Sequence, residues 1–329
     1  MRHRINGGLR TITIGWTLAL FACAGYAQQG CPADRPIRLV VPFPAGGGTD
    51  IVARRLAENL RKDLKQPVLV DNRAGASGNI GADNVAHSAP DGCTLMLTAA
   101  PFAIAPAVFK NLSFNTLNDF TPVAQIAIVP LLVVTRADSP LKNIADLVAA
   151  AKKSSDAVSY GTFGTGAPPH LVGERMQSLG GFKMTHVPYK GGGAALPDIV
   201  SGQLDVAILD VVSMVPLIRS GRLRALAITG TKRAENLPEV PTLSEAGIPF
   251  DTVGWYAIFA PAKMDPAVVS RINTAVNRAM ALPEMRTMLI DSGALPVDHP
   301  PTADAWKAQF TEQVRTWGQI ARDGRISLD

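Results

Sequence analysis

Val41-Pro42-Phe43-Pro44-Ala45-Gly46-Gly47-Gly48 is echoed later in the chain by Val187-Pro188-Tyr189-Lys190-Gly191-Gly192-Gly193. In both copies an apolar, strand-like run passes through Val-Pro-aromatic into three glycines, and a helix-like stretch follows. Glycine allows backbone conformations in which successive N–H groups converge, and the helix behind them aims its unpaired donors and positive dipole end at the same spot. That spot suits an anion, and in an open α/β sheet it lies at the carboxyl edge of the strands, where ligands bind. One exposed helix end contributes only about 0.3–1 kcal/mol to holding a charge. A single loop would hold a carboxylate weakly, whereas two such loops closed together would hold it well. Two further small, polar, glycine-rich loops, NRAGASGN at 72–79 and YGTFGTGA at 160–167, also follow strand-like runs. They offer neutral donors, which suit an organic acid better than a phosphate.

Outward from these loops the chain alternates strand-like and helix-like stretches, the pattern of an α/β fold with a largely parallel sheet. PIRLVVPF at 36–43 reads as a buried strand, and Thr49 opens a helix to Lys65, with its hydroxyl as cap and Asp50 in the first turn. Strands at 68–70 and 94–98 and a helix at 79–88 complete one β-α-β-α-β half. TPVAQIAIVPLLVVT at 121–135 is long for one strand and is broken by Pro130, as expected of a strand that leaves one sheet for another. A second series follows: helices at 144–152 and 168–179, and strands ending at Tyr160, Tyr189, Asp210 and Thr229. VGWYAIFA at 253–260 reads as the return crossing. Beyond it Val268, Val269, Ile272, Ala275, Val276, Ala279 and Met280 fall on one helix face. Two crossings imply two lobes joined by adjacent strands, a cleft between them and hinge closure on a ligand.

The 329 residues include 47% hydrophobic and 18% charged side chains, with 29 Gly and 25 Pro, enough for a large core and two domains. Collagen, coiled coil and general disorder are excluded. The 32 basic and 27 acidic residues leave a formal charge of +5. Three of the arginines, Arg2, Arg4 and Arg10, stand in an acid-free leader with an apolar run at 12–24 and small residues at Gly25 and Ala27. Residues 1–27 therefore read as a secretory signal peptide cut after Ala27, with lipidation at Cys23 the other processing the sequence permits. The run is too short for a bilayer span of ~20 residues. Without the leader, 29 basic residues face 27 acidic ones, which is no footprint for nucleic acid. Cleavage leaves Cys31 and Cys93, each just ahead of a strand, in an oxidising compartment. They are either a disulfide or two unpaired thiols.

Several enzyme motifs fail at a named position. A dinucleotide fingerprint at Gly46-x-Gly48 would need its third glycine where Ile51 stands, although Asp71 lies a plausible distance on. Gly75-Ala76-Ser77-Gly78-Asn79 has Asn79 where a nucleophile elbow needs glycine, and Ser139-Pro140-Leu141-Lys142 has no K-T-G partner. His170 and Glu174 share a helix face, but His87, His186 and His299 bring no metal-ligand spacing, so neither metal nor cofactor is expected. His170 stands instead as a neutral hydrogen-bonding group at the cleft, and Lys190 as a counter-charge for a carboxylate.

RLVVPFPAGGGTDIVARRLAENL, DNRAGASGNIGADNVA, APDGCTLML, YGTFGTGAPPHLVGE, HVPYKGGGAALPDIVSGQLD and RLRALAITGTKRAENLPEVPTLSEAG closely resemble the Bug family, the extracytoplasmic solute-binding receptors of tripartite tricarboxylate transporters. The resemblance covers nearly the whole chain after the leader. It implies a two-lobed periplasmic-binding-protein (Venus flytrap) fold, each lobe a doubly wound, mostly parallel sheet. One lobe would be 28–128 with 254–329 and the other 129–253. The implied function is to capture a small mono- or dicarboxylate, aromatic ones included, as a periplasmic monomer, and to hand it to membrane carrier subunits. The implied pocket uses Phe43, Ala45, Gly46, Gly47, Thr49 and Asp50, with Ser77, Asn79 and Thr98, and from the second lobe Thr165, Gly166, His170, Tyr189, Lys190, Gly191 and Asp210. Ala167 stands where the family usually has serine, Ala105 where it has asparagine, and Cys93 where an aromatic is common. The first two changes argue against a heavily hydroxylated ligand such as citrate and toward a less polar or aromatic carboxylate.

Gly46→Val is expected to weaken binding more than Lys190→Ala, because a β-branched side chain would obstruct backbone approach. Two rival functions remain at this level. A secreted hydrolase would use Ser77 or Asp210 with His170, and a signalling receptor would present its closed form to a membrane sensor such as a sensor kinase.

Overall fold

The computed structural model describes residues 30–154, 156–324 and 326. The leader expected at 1–27 lies outside the described residues. Among them no helix is long and apolar enough to cross a membrane.

The first half-lobe runs β1 (Ile37–Val41), α1 (Gly48–Leu64), β2 (Val68–Asn72), a 3-10 turn (Ala76–Gly78), α2 (Asn79–Ala86), β3 (Thr94–Ala99) and α3 (Pro101–Val108), followed by β4 (Phe120–Val129). After Pro130 come β5 (Leu131–Arg136), α4 (Ile144–Ala151), β6 (Ser159–Thr162), α5 (Pro168–Gly180), β7 (Thr185–Pro188), α6 (Gly192–Ser201), β8 (Val206–Asp210), α7 (Val211–Arg219) and β9 (Leu223–Ile228). The chain closes with β10 (Gly254–Pro261), α8 (Pro266–Ala281), α9 (Pro283–Asp291), β11 (Leu295–Pro296) and α10 (Ala303–Asp323).

These strands form two sheets, ordered β11-β4-β10-β3-β1-β2 and β7-β6-β8-β5-β9. Pro130 is the switch. Val129 pairs with Gly254 in the first sheet, and Leu131 pairs with Asp210 in the second. Proline has no N–H to continue a ladder, so pairing stops on one sheet and resumes on the other. Gly254 admits the close approach on the return side, since a Cβ there would lie 2.6 Å from the Val129 carbonyl oxygen. Each sheet is mixed rather than mostly parallel. β1 pairs in parallel with β2 and β3, and β6 with β7 and β8, but the crossing strands β10 and β5 enter antiparallel to their neighbours. A strand arriving from the other lobe runs against the local βαβ direction.

The first sheet is covered on both faces. Leu39, Leu95 and Leu97 meet Leu56 and Leu60 of α1 and Ile272 and Val276 of α8. The other face packs Val40, Met96 and Phe259 under α3 and α10, where the Phe259 ring stands 5.0 Å from Phe102 and 4.7 Å from Phe310. All seven residues of the apolar stripe on α8 are buried. The C-terminal helices thus pack back on the sheet that holds β1. Cys31 and Cys93 are joined by a disulfide, Cα to Cα 4.6 Å, at the amino ends of the paired strands β1 and β3.

Candidate functional site

The two triple-glycine loops face each other across one chamber of about 140 Å³. The first supplies Ala45, Gly47, Gly48 and Thr49 to its wall, and the second supplies Lys190, Gly191, Gly192 and Gly193. Its base is the crossing itself, Val129, Leu131 and Gly254 to Tyr256, with Asp210 beside it. Phe43 and Tyr189 line a neighbouring vestibule of about 530 Å³ with Ser77 and Ala167. The vestibule shares Phe43, Pro44, Pro101, Phe163, Lys190 and Gly191 with the chamber.

Four of the helices that begin at the chamber share a property. α1, α3, α5 and α6 each begin at its wall, and none has a side-chain cap on its first turn. α4, α7, α8 and α10 are capped by Asn143, Asp210, Asp265 and Thr302, of which Asp210 itself lines the chamber, while α2 and α9 begin away from it without side-chain caps. A helix start leaves backbone donors that a cap, water or a ligand must satisfy. α3 and α5 open with proline, which has no N–H. The usable donors are therefore the first-turn amides of α1 and α6, Gly48 and Thr49 on one side and Gly192 and Gly193 on the other. They precede the first intrahelical bonds, from Ile51 to Gly47 and from Ala194 to Gly191. Thr49 is not the cap expected from the sequence. Gly47 holds that position, and the Thr49 hydroxyl is directed to Tyr256.

Several residues expected to touch a ligand instead hold the loops. Asp50 accepts from the Gly46 N–H, from Arg54 Nε and from Asn72 Nδ2, each at 2.9 Å. Burial alone would raise its pKa, but these bonds together outweigh it and keep the carboxyl below its ordinary value. Gly46 thus turns its N–H away from the chamber and is absent from the wall. Asn72 also donates to the Phe43 carbonyl at 3.1 Å, so one amide pins both ends of the loop.

The second lobe is braced by a stacked imidazole pair. His170 and His186 lie 4.0 Å apart, ring centre to ring centre. Nδ1 of His170 accepts from the Gly166 N–H at 3.1 Å, and Nε2 of His186 pairs with the Thr162 hydroxyl at 2.7 Å. Burial pushes the His186 pKa down to about 3, helped by the neighbouring His170, and pushes His170 down against the pull of Glu174. The Ser77 hydroxyl donates to the Thr165 carbonyl at 3.4 Å, a contact between lobes. With His170 engaged by Gly166 and Glu174, neither Ser77 nor Asp210 is paired with it as nucleophile and base. Tyr189 donates to Asp198 at 2.5 Å, and burial followed by that carboxylate pushes its pKa up to about 12.

Thr98 is buried within β3, and Asn79 begins α2; neither is part of either wall. Ala105 is buried inside α3, so its side chain does not shape the chamber, and Ala167 belongs to the vestibule. Tyr256 escaped the sequence reading as a site residue, and Phe163 and Asn72 were read only as members of their glycine-rich loops. Tyr256 stands in the return strand, and its hydroxyl reaches Oδ1 of Asp210 at 3.5 Å. Asp210 caps α7 through the Ser213 N–H at 3.0 Å, and burial raises its pKa despite the Ser213 and Tyr256 bonds. Among the described residues no cluster of His, Cys, Asp or Glu is placed to hold a metal ion.

Two lobes facing each other across a chamber lined by backbone donors define a solute receptor. The chain belongs to the tripartite tricarboxylate transporter family of receptors, whose family model matches residues 52–325. It is 36% identical over 318 residues to Protein BugT of Bordetella pertussis (strain Tohama I), covering 96% of this chain and 97% of that one. The solved structure of the periplasmic binding protein BugD superposes with a TM-score of 0.85 at 33% identity, over 90% of this chain and 99% of that chain. MatC from Rhodopseudomonas palustris with bound malate superposes at 0.82 with 33% identity, over 87% and 99%.

Proposed function

We propose that this protein is a periplasmic receptor that captures a small organic carboxylate between its lobes and delivers it unchanged to a tripartite tricarboxylate-type membrane carrier. The lobes would be residues 28–128 with 254–329, and residues 129–253, hinged where the chain crosses at Pro130 and before Gly254. One observation carries this: α1 and α6 begin on opposite walls of the chamber without side-chain caps, and their first turns bring N–H donors to it. A carboxylate seated there would do the work of the missing caps, with both dipole ends favouring its charge. The malate bound to MatC supports the same ligand class. The chamber, well below the ~300–1,000 Å³ of drug-sized sites, suits a small metabolite.

Calorimetry of the processed protein against small carboxylates tests the proposal, with mass analysis of the recovered ligand. Saturable binding at one site per chain with the ligand intact is expected. Hydrolysis of a bound ester or amide, or no carboxylate binding at all, would contradict it.

A further inference from the structure

A single peptide group, the one between Thr165 and Gly166, is held from both sides of the cleft. Its N–H donates to Nδ1 of His170 at 3.1 Å, and its carbonyl accepts from the Ser77 hydroxyl of the facing lobe at 3.4 Å. A trans peptide is planar, with N–H and C=O directed oppositely, so fixing the N–H on His170 aims the carbonyl at Ser77. Ser77 meets it from a left-handed backbone, φ +55°, which residues other than glycine adopt only where their surroundings hold them there. The buried His170 accepts at Nδ1, so the neutral ring carries its proton on Nε2, 3.7 Å from Oε1 of Glu174. The next proton can go only to Nδ1. It would set two donors, Nδ1–H and the Gly166 N–H, against each other, and the peptide would have to turn.

The other titratable groups around the ring do not replace that acceptor. His186 of β7 stacks on it at 4.0 Å and pairs with the Thr162 hydroxyl. Tyr160 of β6 stacks on His186 at 4.9 Å and donates to Glu174 at 2.9 Å. Glu174, one turn further along α5, favours an imidazolium but from the Nε2 side. Arg175 and Asp251, with Arg315 and Asp323 of α10, share a groove with Glu174.

Resting on the receptor reading, we propose that His170 is a positioning residue for closure: it presents the Thr165 carbonyl to Ser77 only while Nδ1 is unprotonated, so acid opens the receptor and releases its ligand. By the same linkage, ligand binding disfavours protonation of His170.

The test is calorimetry with butyrate and with malate at about pH 7.5 and about pH 5.5, on either side of the ordinary histidine range. It compares wild type, His170→Asn, His170→Phe, Ser77→Ala and the double variant His170→Phe with Ser77→Ala. Asparagine accepts from the Gly166 N–H and does not titrate, whereas phenylalanine keeps the ring stack and accepts nothing. At the higher pH His170→Asn should bind as wild type does, and His170→Phe and Ser77→Ala about 5- to 10-fold more weakly, the scale of one hydrogen bond. The double variant should lose no more than either single one, because both act on one peptide. At the lower pH wild type should weaken about 3- to 10-fold relative to His170→Asn, since one proton counts for at most tenfold per pH unit. The comparison cancels the titration of the probe itself. Equal pH profiles in wild type and His170→Asn, additive losses in the double variant, or His170→Asn as weak as His170→Phe would each overturn the proposal and leave the receptor reading standing. Failure of both probes to bind wild type would overturn the receptor reading and this proposal with it.

Discussion

Gly48 opens α1, the helix that follows β1 of the first sheet, and Asp210 ends β8 of the second, yet a Cβ on Gly48 would lie 2.6 Å from Oδ1 of Asp210. It would also lie 2.5 Å from the Tyr256 hydroxyl and 3.1 Å from Cβ of Val212. The closed cleft therefore has room for glycine alone at this position. Gly48→Ala is expected to hold the lobes apart and weaken carboxylate binding by about 100-fold, the scale of a ~1 Å misplacement of a binding group. Small-angle scattering should show no compaction on adding ligand, while the melting temperature stays near wild type. Wild-type affinity in this variant would contradict the closure described here.

Gly46 behaves differently, and the obstruction anticipated at it does not arise. Nothing lies within 4 Å of a Cβ built there, but its φ is +83°. Gly46→Val should cost roughly 1–2 kcal/mol of stability through backbone strain, with a smaller loss of affinity than Gly48→Ala. Denaturant titration beside calorimetry separates the two effects.

Asn72→Ala removes the bonds to Phe43 and Asp50 at once. A loss of about 1–3 kcal/mol is expected from the groups left unsatisfied, accompanied by weaker binding because the first loop is no longer pinned. Asp50 also gives this loop a pH dependence of definite sign. Its folded pKa is below its ordinary value of 3.8. The stability it contributes is full above that value and is lost as the pH falls through the lower folded one. The difference in unfolding free energy between wild type and Asp50→Asn should be constant near neutrality and shrink only in that acid range.

His170 and His186 act at milder acidity. Both are held below the ordinary histidine value of 6.5, His186 at about 3. Unfolded histidine takes up its proton as the pH drops past 6.5, whereas His186 stays neutral to about 3 and His170 is held below 6.5, so stability falls from there downward. The neutral His186 imidazole should contribute a slope of roughly 1.4 kcal/mol per pH unit below the unfolded value. Denaturation midpoints measured across this range should fall with pH in wild type and more shallowly in His186→Gln. An equal slope in both proteins would show that the pair is not neutral.

The disulfide should matter for stability and not for binding. It closes a loop with a sequence separation of 62 between the amino ends of β1 and β3, while the chamber lies at their carboxyl ends. Replacing both cysteines by serine should cost about 4 kcal/mol on the loop-entropy scale, with ligand affinity unchanged.

Most of the architecture was legible because it is written in local patterns. The break at Pro130, the return strand at 253–260 and the stripe on α8 each stand where periodicity placed them. α3 and α7 went unread. Both are short, strongly apolar and carry an internal proline, Pro106 and Pro216, so no 3.6-residue period shows. Within the site, the two glycine loops could be read because glycine runs have few other uses. The division of labour around them could not. Whether Asp50 faces a ligand or the Gly46 amide, and whether His170 faces the cleft or His186, depends on side-chain direction set by tertiary packing. Tyr256 belongs to β10 of the first sheet and Asp210 to β8 of the second, so only the packing of the two sheets brings them together.

The most direct measurement is an amide-resolved NMR titration of the processed protein with butyrate. The N–H resonances of Gly48, Thr49, Gly192 and Gly193 are expected to move downfield together along one single-site isotherm, with Gly46 still tied to the Asp50 carboxylate. Shifts confined to one loop, or to side chains with these four amides unmoved, would show that the paired helix starts do not hold the anion.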